Sequence, residues 1–314
     1  MKTKPPFPEY IDSSMRATMT SCQKQFYWQY LRHLAPLTTP IDLHFGGCFA
    51  SGLEAARHYF YSPGGTSEGK QSRALAAGLE AILIAWGPPA PATEGKPPAV
   101  KTLDICLLAL ESYTTQYPFA FDHLQPLSLR TVNGEVPAVE CSFALPIPEV
   151  LHPETGLPLF YCGRYDMLAK FNNNIFVVDE KTTTQLGPTW AQKWELRGQL
   201  TGYCWAARIY GFPVVGAIIR GIAIRKHTID HIEVLTYRSS YEIDLWYGQL
   251  VRDLQHIVNA YQTDYYNYAF NDTCTAYRGC HFQRLCKSPQ PERWISTNYR
   301  EHIWSPLTPK DAPK

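Results

Sequence analysis

The chain has 314 residues, 45% of them hydrophobic and 18% charged, the balance of a folded globular protein and not of a disordered one. A formal net charge of +1 supplies no global basic field, so contact with nucleic acid has to come from a local patch. The start of the chain has no apolar signal core, no run approaches the roughly 18–20 apolar residues of a membrane span, and nine cysteines are too uneven a set for a closed disulfide framework. These features predict a cytoplasmic protein with reduced thiols and no membrane partner.

Residues 11–34 are predicted to form one amphipathic helix, opened by the capping cluster Asp12-Ser13-Ser14. It carries Cys22, which taken alone reads as a small core residue. A second helix follows over His44–Arg57, with small residues at its start and Glu54 towards its end. Loops by composition at 61–69 and 87–99 bracket a helix near 71–86 and precede one near 101–116. This is a helical insertion, expected to wall a groove. From Val136 the period changes to that of strands, with Glu140 in the first and a Pro/Gly turn at 146–158 after it.

The most informative stretch is Ile175-Phe176-Val177-Val178-Asp179-Glu180-Lys181. Four apolar residues, three of them β-branched, predict a buried strand that ends in two acids and a lysine. Upstream, Tyr161–Lys170 reads as a partner strand carrying Asp166, and Asn172-Asn173-Asn174 is a hairpin-turn signal. Such a hairpin brings Asp166 towards Asp179 and Lys181. Two carboxylates and a lysine at a sheet end suit a hard divalent cation beside an activated water.

Trp190–Arg208 is predicted as one helix, with Gln199 and Tyr203 on a common face. Val214–Arg225 and His231–Tyr237 read as a strand pair carrying a basic stripe of Arg220, Arg225 and Lys226. A long helix over Tyr241–Tyr261 follows, with Trp246, Leu250 and Leu254 on its apolar face. Cys274, Cys280 and Cys286, spaced C-x5-C-x5-C, look like metal ligands, with His281 or any of the six other cysteines open as a fourth. Residues 305–314 are expected to fray.

In order along the chain, Glu54, Asp166, Asp179-x-Lys181 and Gln199-x-x-x-Tyr203 resemble the RecB-like branch of the PD-(D/E)XK nuclease superfamily. The segment around Cys22 and the closing cysteine triplet are similar to that branch's iron–sulfur members. The resemblance spans residues 13–286. It implies an α/β fold with a restriction-endonuclease-like core, a mixed central sheet flanked by helices, with a helical insertion and an Fe–S clip joining the chain ends. The implied divisions are 1–60 (cluster-ligand helix and first core helix), 61–130 (insertion), 131–264 (nuclease core), 265–290 (cysteine segment) and 291–314 (tail).

The same resemblance implies a metal-dependent DNA exonuclease. Glu54, Asp166 and Asp179 would bind Mg²⁺ or Mn²⁺, Lys181 would position the attacking water, and Gln199 and Tyr203 would hold the strand. Arg220, Arg225 and Lys226 are weaker candidates for DNA backbone contacts. Cys22, Cys274, Cys280 and Cys286 would bind a [4Fe–4S] cluster as a structural clip. Where the family usually has a metal-binding histidine, four residues before its glutamate, this chain has Ala50. The implied partners are DNA ends, single- or double-stranded, with a recombination, helicase or CRISPR-adaptation partner. The alternatives are a CRISPR spacer-trimming nuclease or a weakened nucleic-acid-binding protein of the same fold. An iron–sulfur electron carrier is a further rival, but it leaves Asp179-x-Lys181 unexplained.

Overall fold

A computed structural model of the chain describes residues 4–62, 69–87, 100–131, 134–275 and 279–307. The expected loops at 61–69 and 87–99 and the last residues of the tail therefore lie largely outside the described residues. After β1 (Tyr10–Ile11), the Asp12 carboxylate accepts the Met15 N–H at 2.7 Å and opens α1 (Ser13–Ser21), followed by α2 (Gln23–Phe26). The single helix expected here is broken at Cys22, whose φ of −162° is extended. The hydroxyls of Thr18, Thr20 and Ser21 turn back onto carbonyls of the preceding turn, which loosens the helix end. A π-helical turn, Tyr27–Leu31, leads to β2 (Leu34–Pro36).

Next come α3 (Ile41–Tyr61), α4 (Lys70–Trp86) and α5 (Leu103–Gln116). α3 and α4 approach so closely that a Cβ on Gly78 would sit 2.7 Å from the Gly52 carbonyl oxygen. Their buried Phe45, Phe49, Leu53 and Ile82 share one apolar cluster with Leu110 and Tyr113 of α5. Short strands β3 (Gln125–Pro126), β4 (Ser128–Thr131) and β5 (Gly134–Pro137) precede the long β6 (Val139–Leu151), β7 (Pro158–Phe171) and β8 (Asn174–Thr183). The turn expected at 146–158 is shorter than its prolines suggested. β6 runs through Pro146 and Pro148, both exposed, while the alternating Leu145 and Ile147 are buried. Proline is tolerated in a strand where its missing N–H would point away from the paired neighbour.

The helix expected over Trp190–Arg208 is two, α6 (Pro188–Gln192) and α7 (Gly198–Ile209). The interruption has a tertiary cause. Arg238 donates to the Trp194 carbonyl at 2.6 Å and to Thr201 Oγ1 at 2.9 Å, taking an acceptor that a continuous helix would use itself. α6 also presses on the sheet: a Cβ on Gly221 would lie 2.5 Å from the Trp190 ring. The chain continues as β9 (Val214–Ile224), β10 (Ile229–Tyr237), α8 (Ser240–Thr263), a 3₁₀ turn at Asp272–Cys274, α9 (Gln283–Lys287), α10 (Glu292–Asn298) and β11 (Tyr299–Glu301).

The elements form two compact units. One takes Pro40–Cys141 and Arg164–Ile243; the other takes Met1–Thr39, Ser142–Gly163 and Asp244–Thr308. In the first, the later part of β7 pairs antiparallel with β8, β8 parallel with β9, and β9 antiparallel with β10. The β7–β8 turn places Asn172 and Asn173 at φ of 47° and 63°, the left-handed region that two-residue hairpins require. β9 is buried almost throughout, as a central parallel strand should be. This is a mixed α/β unit with a central mixed sheet flanked by helices, in keeping with a restriction-endonuclease-like fold.

In the second unit, β1 lies parallel to the start of β7, and β11 pairs antiparallel with β2, Tyr299 facing Pro36. Trp28, Leu34, Phe282, Leu285 and Tyr299 pack beneath that pair. N-terminal and C-terminal segments are therefore stitched together by backbone and core alike. No helix among the described residues is long and apolar enough to cross a membrane.

Candidate active site

The β7–β8 ladder is regular from Phe171↔Asn174 to Met167↔Val178 and stops there, one residue short of Asp166 and Asp179. Beyond that point β8 stays paired only with β9, Asp179 opposite Ile219 and Lys181 opposite Gly221. A strand end freed from one neighbour can present its side chains without losing its place in the sheet. Asp166 is tied to this end by the Glu180 N–H, which donates to Asp166 Oδ2 at 3.0 Å. Lys181 Nζ lies 2.8 Å from Asp179 Oδ1 and 2.7 Å from Oδ2.

Strand alternation sends Asp179 and Lys181 to one side of β8 and Glu180 to the other. Glu180 enters a closed network. Its carboxylate takes both terminal nitrogens of Arg57, one at 3.0 Å, and the Tyr113 hydroxyl at 2.9 Å. Arg220 donates to that hydroxyl at 3.1 Å, to both Asp122 oxygens at 2.6 Å and to Glu233 at 3.0 Å. Arg220 is 0% exposed, so the expectation that it contacts a DNA backbone is corrected. Each arm of its guanidinium is used inside the protein. Arg225 pairs with Asp230 at 3.1 Å, and Lys226 lies exposed in the β9–β10 turn.

Glu54 stands on α3. Arg164 holds it at 3.1 Å and holds Glu140 at the same distance from its Nε. Glu140 adopts φ of 50°, a left-handed backbone unusual for a side chain of this size. Gln199 donates to the Tyr203 hydroxyl at 3.1 Å, and the buried Tyr203 ring meets Tyr165, next to Asp166, at 5.5 Å. Sequence reasoning missed Arg164, Glu140 as a member of the cluster, and Arg57. It also missed Arg197, whose charge reaches Asp179. Arg164, two residues before Asp166, offered the best signal, because a cation so near a strand's acid needs a partner.

The electrostatics separate the two sides of β8. Burial, then the neighbouring Asp179 and Glu180 charges, pushes the Asp166 carboxyl up to about 7. Burial and the Asp166 charge push Glu140 up to about 9, and burial raises Asp179 as well. Burial also disfavours the Lys181 ammonium, but Asp179 and Asp166 outweigh it and hold the lysine charged. Glu180 is buried too, yet Arg57 more than offsets that and keeps it well below the usual carboxylate range. Four carboxylates, Glu54, Glu140, Asp166 and Asp179, thus share two directly bound cations, Arg164 and Lys181, with Arg197 and Arg57 acting from farther off. This excess of hard oxygen donors fits a divalent cation. Among the described residues, no three His, Cys, Asp or Glu side chains converge closely enough to hold a metal as they stand.

The second unit holds Cys22, Cys274, Cys280 and Cys286, all free and partly exposed. Burial raises the Cys280 and Cys286 thiols, and both also feel Cys22; Cys280 feels Cys274 and Cys286 feels Cys280. The Cys280 N–H donates to the Cys274 carbonyl at 2.9 Å. His281, the other candidate ligand, is exposed. Residues 276–278 of this segment lie outside the described residues.

A family model described as the PD-(D/E)XK nuclease superfamily matches residues 14–287. The chain belongs to that superfamily, whose members are nucleases and typically use divalent metals such as Mg²⁺. A search among curated proteins returns no match. Among solved structures, one titled "Crystal structure of SSO0001" aligns over 76% of this chain and 84% of its own, at 16% identity and a TM-score of 0.30.

Proposed function

We propose that the protein is a metal-dependent DNA exonuclease of the RecB-like, iron–sulfur branch of its superfamily. Asp166 and Asp179, with Glu54 once Arg164 releases it, are the oxygen donors for Mg²⁺ or Mn²⁺. The bound cation would supply Lewis-acid polarisation of a phosphate and a more acidic water. Lys181, held charged by the aspartates, orients that water and offsets charge on the phosphoryl oxygens. Gln199 and Tyr203 form the wall against which the strand end rests, and Arg225 and Lys226 are backbone contacts at its margin. The observation that carries this reading is the carboxylate-rich cluster at the freed end of β8, four acids around Arg164 and Lys181.

The four cysteines that share one unit and one electrostatic neighbourhood are the ligands of a [4Fe–4S] cluster. The cluster acts as a clip between segments more than 250 residues apart in sequence. Constraining so long a loop favours the folded state. DNA ends are the substrate, in recombination, repair or CRISPR spacer processing, beside a helicase or adaptation partner.

One observation favours a second reading. The Arg164–Glu54 ion pair, with Ala50 at the usual histidine place, describes a weakened site that binds nucleic acid without turnover. End-labelled single- and double-stranded DNA incubated with Mg²⁺ or Mn²⁺ separates the two. Stepwise loss of label-bearing ends supports the exonuclease, and intact but retarded DNA supports the binder.

A further inference from the structure

The net charge leaves nucleic-acid affinity to a local patch, and Arg220 is not part of one. A better candidate lies in the unit that holds the cysteines. Gln283, Arg284, Lys287, Ser288, Pro289 and Trp294 line an open cleft of about 470 Å³ between α9 and α10. No acid lines it. Arg284 lies over the Trp294 ring, 4.9 Å from its centroid, and donates to Asn298 Oδ1 at 2.9 Å, so the guanidinium is held in one pose. Trp294 is anchored by its Nε1–H on Ser288 Oγ at 3.3 Å, yet 40% of the residue is exposed.

Phe282 and Tyr299 stack at 5.6 Å and 11°, and the Tyr299 hydroxyl donates to the His281 carbonyl at 2.7 Å. The nearby acid Glu292 is taken up by Arg32 at 3.2 Å. Neither Arg284 nor Lys287 has a carboxylate partner among the described residues. Both cations are exposed to solvent, and two such charges beside an open indole mark a place for an anion with a flat ring.

We propose that this cleft is a subsite for a nucleotide of single-stranded nucleic acid, the phosphate between Arg284 and Lys287 and the base against Trp294. Stacking on an aromatic side chain requires an unstacked base, which a strand offers and a duplex does not. A phosphate held by a preorganised Arg and a mobile Lys gives affinity without sequence preference. The inference rests on the nuclease reading for its biological sense, but its test needs no cleavage.

The test is fluorescence anisotropy of labelled oligothymidine with the full chain in EDTA. Lys287→Glu and Trp294→Ala should each weaken binding about tenfold, with Trp294→Phe recovering most of the loss. Lys287→Glu should also flatten the salt dependence by about one phosphate contact. Lys287 is exposed and makes no side-chain hydrogen bond or ion pair among the described residues, so its variant reports on binding even if the tryptophan variant loosens α10. Wild-type affinity in both Lys287→Glu and Trp294→Ala, or no binding by the wild type, overturns the proposal. Competition by duplex or by free thymidine monophosphate as strong as by the oligonucleotide overturns it equally. A chain that binds in this way but cuts nothing in Mg²⁺ or Mn²⁺ removes the nuclease reading and leaves the cleft standing. One that cuts while ignoring both substitutions does the reverse.

Discussion

Two clusters of charge meet at the end of β8, one on each side of the strand, and they are built on opposite plans. Around Glu180, every carboxylate finds a cation: Arg57 for Glu180, Arg220 for Asp122 and Glu233. Around Asp179, four carboxylates share Arg164 and Lys181, and two of them, Asp166 and Glu140, are pushed up to about 7 and about 9. Burial is common to both sides and does not explain the contrast. Balance does. A closed network has no use for an outside ion, whereas an open one is short of positive charge until something supplies it. The first ties β8, α3 and α5 together, and the second is the site proposed for the chemistry.

The contrast can be broken experimentally, most sharply through activity. Lys181→Ala and Asp166→Asn should each lower DNA cleavage by about a hundredfold or more, measured with end-labelled substrate in Mn²⁺. Cleavage at the wild-type rate in either would move the active site elsewhere. On the balanced side, Arg220→Ala should cost about 3–5 kcal/mol in chemical denaturation, because it leaves the buried Asp122 carboxylate without its bidentate partner. Asp166→Asn should do the opposite at pH 8, raising the melting temperature of the metal-free chain by relieving carboxylate crowding. If both substitutions destabilise alike, the two sides do not differ as described.

A pH titration sharpens the same point. Asp166, raised to about 7, and Glu140, raised to about 9, keep protons in the folded chain where the unfolded chain has lost them, above about pH 4. That contribution to stability is complete below the ordinary carboxylate range and is lost as pH rises through about 7 and about 9. The metal-free protein should therefore melt lower at pH 8 than at pH 6, and added Mg²⁺ or Mn²⁺ should raise the melting temperature more at the higher pH. A metal effect independent of pH would dissociate the raised carboxyls from the cation site. The smallest effect is spectroscopic. Anaerobically purified protein should be brown with blue-region absorbance, and Cys22→Ala should bleach it; a colourless protein containing one zinc would exchange the iron–sulfur clip for a zinc site.

Local information along the chain specifies some of these features and not others. The β7–β8 hairpin was readable because its ingredients are adjacent: a β-branched run, an asparagine turn, and a second strand of matching length. The break at Cys22 was partly visible, since Thr18, Thr20 and Ser21 are hydroxyls able to compete for helix carbonyls. The split between α6 and α7 was not, because it depends on Arg238, 44 residues from the carbonyl it takes. Arg220 misled for the same reason: its partner Asp122 lies 98 residues away, so a buried guanidinium looked like part of an exposed stripe.

By itself, the sequence determined the strand that ends in Asp179-Glu180-Lys181, the turn that returns it to β7, and the membership that residues 14–287 display. These are encoded by period, turn chemistry and spacing, which act over a few residues or along an ordered set of motifs. Only the tertiary structure decided which charges are satisfied and which are left in excess, that Glu54 is held by Arg164, and that Arg284, Lys287 and Trp294 line one cleft. Charge balance is a property of neighbours in space, and the chain brings those neighbours together only when it folds.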